Sequence, residues 1–142
     1  AIAEHRIRSS AVGLAASKVA AMSAVRAVLR ETQRAFAADP AGAVLDGRDI
    51  ATVICPDADV KLYVTAALPV RTQRRLNELR ARGEQIGLDE LQAQIAERDR
   101  RDMERADSPL RQAPDAQMLD TSELSIAQAV AAAVGMVEAV RR

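Results

Sequence analysis

The stretch RDRRDMERADSPLR, residues 98–111, carries nine charged side chains of alternating sign. Opposite charges three or four positions apart, such as Arg98, Asp102 and Arg105, stabilise an exposed helix and are common there. The same three side chains fall within about 60° of one another on one helix face. Two guanidiniums beside one carboxylate can bind a phosphate and a sugar hydroxyl together. Taken alone, the stretch favours a solvated helix, so a phosphate site needs support from elsewhere in the chain.

A second charged segment, LDGRDIATVICPDADV at residues 45–60, places Asp46, Arg48 and Asp49 directly after a short apolar run. We expect that run to be a strand, and ligands of open α/β sheets bind beyond the carboxyl ends of the strands. The planar fork of an arginine at such an end suits a phosphate. An Asp-Gly turn with a local Arg–Asp pair explains the same residues. Both interpretations remain open at this point.

The elements that would position these residues alternate between helices and strands. Residues 10–38 predict one or two helices, with Ser23 as a candidate N-cap of the second. Further helices are predicted at 69–82, 88–106 and 122–142, the last with a capped start, and strands at 60–65, at 116–122 and in the short run 43–49. This order predicts a single α/β domain over residues 1–142 with a mainly parallel sheet. Three strands are few for such a sheet, so we expect its first strand to be missing from this chain.

Composition excludes several classes of function. The 20 basic and 20 acidic residues give a formal net charge of zero, unlike a nucleic-acid or membrane-surface binder. The only aromatic residues, Phe36 and Tyr63, offer no stacking platform for bases. One histidine, His5, and one cysteine, Cys55, cannot form a zinc site or a disulfide within the chain. We therefore expect a cytoplasmic protein with no His/Cys zinc site, no nucleic-acid partner and no membrane span. We also expect it to be a monomer.

Four segments occur in a fixed order along the chain: AASKVAAMSAVRAVLRETQRAFA, AVLDGRDIATVICPDADVKLYVTA, AERDRRDMERADSPL and DAQMLDTSELSI. As a set they resemble bacterial cytidylate kinases, over nearly all of the 142 residues. The resemblance implies the nucleoside-monophosphate-kinase form of the P-loop kinase fold, a parallel sheet with flanking helices. It also implies transfer of the γ-phosphoryl group of ATP, with Mg²⁺, to CMP or dCMP.

The resemblance assigns a role to nine residues. Those expected to recognise cytosine are Ser17, Arg26 and Asp49. Those expected to hold the phosphate are Arg48 and Arg105, with Arg98 and Asp102 around the ribose and phosphate. The expected catalytic lid arginines are Arg71 and Arg75, on a helical lid of about residues 71–100. The base assignment is chemically sound, because a carboxylate and a hydroxyl can accept from the cytosine amino group while an arginine donates to N3 and O2.

The chain departs from the family pattern in three ways. No G-x-x-x-x-G-K-[ST] phosphate loop occurs, and neither lysine, Lys18 or Lys61, follows a glycine. The family's insertion for binding nucleoside monophosphates is absent as well. Ala51 stands where the family usually has glycine, and Ser23 where proline is frequent.

These departures leave no Mg²⁺ ligand identified in the chain, and we predict that the chain alone is inactive. Three interpretations remain open. The chain is the acceptor and lid portion of a working CMP kinase, a truncated or degenerate homologue without catalysis, or a structural or interaction module.

Overall fold

The computed structural model describes residues 10–20 and 22–140, except for the side chains of residues 10, 14 and 17. Its elements in chain order are α1 (Ser10–Val19), α2 (Ser23–Ala37), a π-helical turn (Ile50–Ile54), β1 (Leu62–Thr65), α3 (Leu68–Ala81), α4 (Leu88–Glu104), β2 (Gln117–Asp120) and α5 (Ile126–Val140). The predicted α/β class is confirmed. Within the described ranges, no helix is both long and apolar enough to cross a bilayer.

The two strands form a parallel pair. Leu62 lies opposite Gln117, and Thr65 lies opposite Asp120. Beyond the register, the amide of Thr121 donates to the carbonyl of Thr65 at 2.8 Å. Parallel neighbours need a long crossover, which α3 and α4 provide here. The predicted parallel sheet with flanking helices is therefore confirmed, and among the described residues it consists of β1 and β2.

The third predicted strand, at residues 43–49, is wrong. In the part of the chain that the structure describes, only β1 and β2 pair, and residues 42–46 are irregular. A strand needs a neighbour for its backbone hydrogen bonds, and none lies beside this run in the described structure. Val44, in its middle, is 93% exposed.

The helices α3 and α4 form a hairpin around the main apolar core. Leu76, Leu79 and Leu91 are buried together, with the partly buried Ile86 and Ile95 packed against them. The predicted stop at Gly83 is confirmed: this glycine has a φ of +80°, in the left-handed region. Its amide and that of Glu84 donate to carbonyls of the last turn of α3, which is the Schellman arrangement.

Truncation at the centre of this core should destabilise the protein strongly. Leu79 is fully buried, so Leu79→Ala removes its packing and leaves a cavity, at a cost of about 2–5 kcal/mol. Urea unfolding followed by circular dichroism measures the difference. Leu88→Ala, at a residue 45% exposed, is the matched control and should cost less than about 1 kcal/mol. Equal losses in the two variants would contradict this placement of the core.

Two helices, α2 and α5, bear apolar residues that face solvent. On α2, Val28, Leu29 and Phe36 are exposed, and on α5 so are Val130 and Val134. The start of α5 is a capping box, since the Ser125 amide donates to Gln128 Oε1 at 2.9 Å and the Gln128 amide donates to Ser125 Oγ at 3.3 Å. The predicted capped start of the last helix is therefore confirmed, but the cap is Ser125 and the helix begins at Ile126, four residues later than the predicted start at residue 122.

The predicted cap at Ser23 is wrong. The helical region does break, but Ser23 is the first helical residue of α2, and Met22 occupies the cap position without a side-chain bond. The side chain of Ser23 instead lies close enough to Asp107 to contribute to the lowered pKa of that carboxyl. The serine is therefore used in a contact distant in sequence rather than at its own helix end.

Candidate functional site

One face of α2 carries three arginines that reach two loops. Arg26, Arg30 and Arg34 lie four residues apart, which places them one above another on the helix. Each donates from its Nη2 atom to a different partner, and these partners are, in order, the carboxylate of Asp49, the carboxylate of Asp107 and the carbonyl of Val53. α2 therefore fixes the positions of both the loop before β1 and the loop after α4.

The π-helical turn holds the backbone of Asp49. The Asp49 carbonyl accepts the amide of Val53 at 2.9 Å, while its carboxylate is bonded to Arg26. The same carboxylate lies 3.7 Å from Nη2 of Arg105. Ala51 occupies this turn without strain, because Ser108 is the only non-glycine residue with positive φ in the described ranges. The change from the family's usual glycine therefore carries no backbone cost here.

Asp102, in the last turn of α4, is surrounded by three guanidiniums. Its Oδ2 accepts from Arg48 Nε at 3.0 Å and lies 4.0 Å from Arg98 Nε, while Oδ1 lies 3.8 Å from Arg105 Nη1. The Leu110 amide donates to the Asp102 carbonyl at 2.7 Å and ties the following loop to the helix. The structure thus brings together Arg98, Asp102 and Arg105, as their spacing predicts, and adds Arg48 from the distant loop.

Arg105 is the most enclosed arginine of this group, with a side chain only 8% exposed. Its Nε donates to the Ser108 carbonyl at 2.6 Å, but its buried Nη2 has no hydrogen-bond partner among the described residues. Burial, and to a lesser extent the charge of Arg26, lowers the pKa of Arg105, against the opposing effect of nearby carboxylates. A buried donor without an acceptor is costly, so an anionic ligand here would offset an existing penalty.

The other two buried side-chain atoms without a partner in the described chain are Arg26 Nε and Arg30 Nε, in the same cluster. We call this set the arginine cluster, and it consists of Arg26, Arg30, Arg48, Arg98 and Arg105 with Asp49, Asp102 and Asp107. Five guanidiniums against three carboxylates leave two formal positive charges. That excess matches the dianion of a phosphate monoester, for which forked donors are well suited.

The two predicted lid arginines lie on α3 and are engaged within the hairpin. Arg71 Nη1 donates to Asp99 at 2.6 Å, and Arg75 Nη1 donates to Glu78 at 2.6 Å. Ser17 lies in α1, but its side chain is outside the described part of the structure. Its predicted contact with cytosine therefore stays a prediction.

No group of three His, Cys, Asp or Glu side chains suited to a metal ion occurs in the described ranges. We assign none of the described residues to Mg²⁺. A shallow depression lined by Arg80, residues 83–87 and Glu90 lies at the hairpin tip, at the opposite end of α4 from the arginine cluster. The excess positive charge described above lies in the arginine cluster and not at this depression, so we take the cluster as the candidate site.

Sequence reasoning missed two members of the cluster and one residue beside it. Arg30, Asp107 and Ser108 received no role, although the four-residue spacing from Arg26 to Arg34 indicates one shared face. The Ser108 hydroxyl donates to Asp107 at 2.7 Å, and this hydrogen bond is the main reason that the pKa of Asp107 is lowered. Nothing in the local sequence reveals that Ser108 adopts a positive φ of 52° and turns its carbonyl toward Arg105.

Comparison with known proteins supports the resemblance of these segments. Residues 2–139 match the family model described as Cytidylate kinase. A Mesorhizobium japonicum protein named "Cytidylate kinase" is 56% identical over 132 residues, covering 93% of this chain and 61% of its own length. A "Cytidylate kinase" from Xanthobacter autotrophicus is 56% identical over 135 residues, which cover 95% of this chain and 65% of that protein. A "Cytidylate kinase" from Rhodopseudomonas palustris is 53% identical over 139 residues, which cover 98% of this chain and 66% of that protein.

The chain therefore spans about three fifths to two thirds of the length of the curated relatives it matches, in their carboxyl-terminal part. The match covers α2, the segment that leads into the π-helical turn, α4 and the loop after α4, which together carry the residues of the arginine cluster. On the family model and on these identities, the chain belongs to the cytidylate kinase family.

Proposed function

We propose that this chain supplies the acceptor site and the lid of a cytoplasmic, monomeric (d)CMP kinase, which transfers the γ-phosphoryl group of ATP to CMP or dCMP. The observation that carries the proposal is the arginine cluster, with its two excess positive charges and its buried donors that lack partners. A nucleoside monophosphate supplies both the missing negative charge and the missing acceptors. Family membership supports cytidine as the nucleoside.

Recognition of the base is proposed to use Asp49 and Arg26. Their ion pair presents an acceptor and a donor side by side. Cytosine carries the complementary edge, an amino group next to N3 and O2, so the carboxylate accepts from the amino group while the guanidinium donates to the acceptors. Ser17 is proposed to accept from the same amino group.

The phosphate is proposed to lie against Arg48 and Arg105, with Arg98 beside it. Asp102 holds Arg48 and lies within ion-pair distance of Arg105, which aligns the two guanidiniums before a ligand arrives. When phosphate oxygens replace Asp102 as the partner of Arg48 and Arg105, the Asp102 carboxylate can accept a hydrogen bond from a ribose hydroxyl. Because such arrangements are formed before the reaction, little reorganisation is needed during transfer.

In the proposed reaction an oxygen of the CMP phosphate attacks the γ-phosphorus of ATP in line. The bond from that phosphorus to the β,γ-bridging oxygen breaks, and ADP leaves with the electron pair. Arg71 and Arg75 are proposed to neutralise negative charge on the transferring group, since catalysis of this step rests on positioning and electrostatics. We propose that the lid, about residues 71–100, moves as one piece, because the leucine core lies inside the hairpin.

Isothermal titration of the chain with CMP and with cytidine tests the acceptor site. We expect CMP to bind more tightly than cytidine, and Arg105→Met to weaken CMP binding about 100-fold while leaving cytidine binding nearly unchanged. Arg111→Met, at an exposed arginine, is the control and should bind CMP like the parent chain. The absence of CMP binding at millimolar concentration would instead favour a degenerate homologue or a structural module.

A further inference from the structure

The hairpin is joined by different contacts at its two ends. Leu91, Ile95 and Asp99 follow one another at successive turns of α4, so they share one face of that helix. Leu91 and Ile95 contact the leucines of α3 in the apolar core. One turn further on, Asp99 accepts from Arg71 Nη1 at 2.6 Å. The apolar seam between the helices thus ends in an ion pair near the sheet.

Arg71 is held at two points by different elements. Its Nε donates to the carbonyl of Ala66, just after β1, at 2.9 Å, and its Nη1 donates to Asp99. A guanidinium is planar, so two such bonds fix both its position and its orientation. Neither bond uses Nη2, which leaves that donor for a ligand.

Asp99 also stands in the helix that carries part of the acceptor site. It is adjacent to Arg98 and three residues before Asp102, both members of the arginine cluster. The Arg71–Asp99 pair therefore sets the distance between a proposed lid arginine and the acceptor wall. On the basis of the proposed function, we propose that Asp99 is a positioning residue that orients Arg71 toward the transferring phosphoryl group.

Because the Arg71–Asp99 pair is only partly buried, its loss can affect the orientation of Arg71 without unfolding the protein. The side chain of Arg71 is 36% exposed and that of Asp99 is 22% exposed. Because both side chains keep some contact with water, solvent still screens this partly buried pair, and its contribution to stability should be modest. Loss of the carboxylate should therefore free the guanidinium without unfolding the hairpin, whose buried leucines remain in place.

Steady-state kinetics of Asp99→Asn, in a full-length kinase that contains these 142 residues, test the proposal. We expect kcat to fall about 10- to 100-fold, because a misplaced group of this kind costs rate. The KM for CMP should stay within about threefold of the parent value, since the acceptor contacts are intact. The Tm should change by less than about 5 °C.

The matched control is Glu97→Gln, which removes another carboxylate of α4. Glu97 pairs with Arg100 and Arg101 on the exposed side of the helix, so its loss should leave kcat unchanged. Combining Asp99→Asn with Arg71→Ala should cost little more than Arg71→Ala alone, because the two residues act as one unit.

The outcomes separate this proposal from the one on which it rests. A parent enzyme that does not phosphorylate CMP would contradict the proposed function itself. An active parent with an unaltered kcat in a folded Asp99→Asn variant would overturn the positioning role alone. If Asp99→Asn fails to fold, Asp99→Glu, which keeps the charge but displaces it by one methylene, should show a reduced kcat, and a parental kcat in that variant would likewise overturn the role.

Discussion

The 142 residues alone are expected to transfer no phosphoryl group from ATP to CMP. Transfer requires the γ-phosphate, the acceptor oxygen and the stabilising charges to be held in line. The chain offers arginines for the acceptor, but its sequence contains no Gly-rich phosphate loop with its lysine. A coupled assay for ADP release, with CMP and Mg²⁺-ATP, measures the rate.

The control for this result joins the preceding part of the Mesorhizobium japonicum relative to the chain, which is 56% identical to that protein over 132 residues. If the acceptor site and the lid are as proposed, the joined protein should release ADP only when CMP is present. Steady ADP formation by the 142 residues themselves would show that other residues of this chain hold the donor nucleotide.

A full-length kinase containing this chain is expected to use CMP and dCMP at least about 1,000-fold more efficiently than UMP, as judged by kcat/KM. Uracil places a carbonyl oxygen where cytosine has its amino group, so the Asp49 carboxylate would face an acceptor and stay unpaired. AMP should also be used poorly, because its larger base lacks the O2 acceptor that Arg26 is proposed to contact.

Asp49→Asn sharpens this test. An amide presents either an acceptor or a donor, so the ratio of kcat/KM for CMP to that for UMP should fall by about 100-fold or more. Glu31→Gln, an exposed substitution on α2, should leave the ratio unchanged. Equal kcat/KM for CMP and AMP in the parent enzyme would refute the base assignment.

The features that local sequence predicts well are those that neighbouring residues determine. The helix limits near Leu68, Gly83 and Leu88 follow from a proline, a glycine in the left-handed region and apolar periodicity. The face shared by Arg98, Asp102 and Arg105 follows from helical spacing alone.

Features that depend on distant partners were not predictable in this way. The apolar run around Val44 has the composition of a strand but no neighbour to pair with in the described structure. Ser108 became important only because its carbonyl meets Arg105, and Asp99 only because it meets Arg71 across the hairpin. Such contacts arise from the packing of whole elements, which no short window of sequence contains.

The register of the sheet also determines the order in which the chain can acquire its structure. Leu62 and its partner Gln117 are 55 residues apart, whereas the leucines of the hairpin are near neighbours in sequence. Closing a long loop costs entropy before any contact repays it, so the hairpin should form first. At a ribosomal rate of about 5–20 residues per second, β1 leaves the ribosome several seconds before β2. During that interval the edge of β1 that later pairs with β2 is open, and the nascent chain is accessible there to chaperones or to unwanted strand pairing.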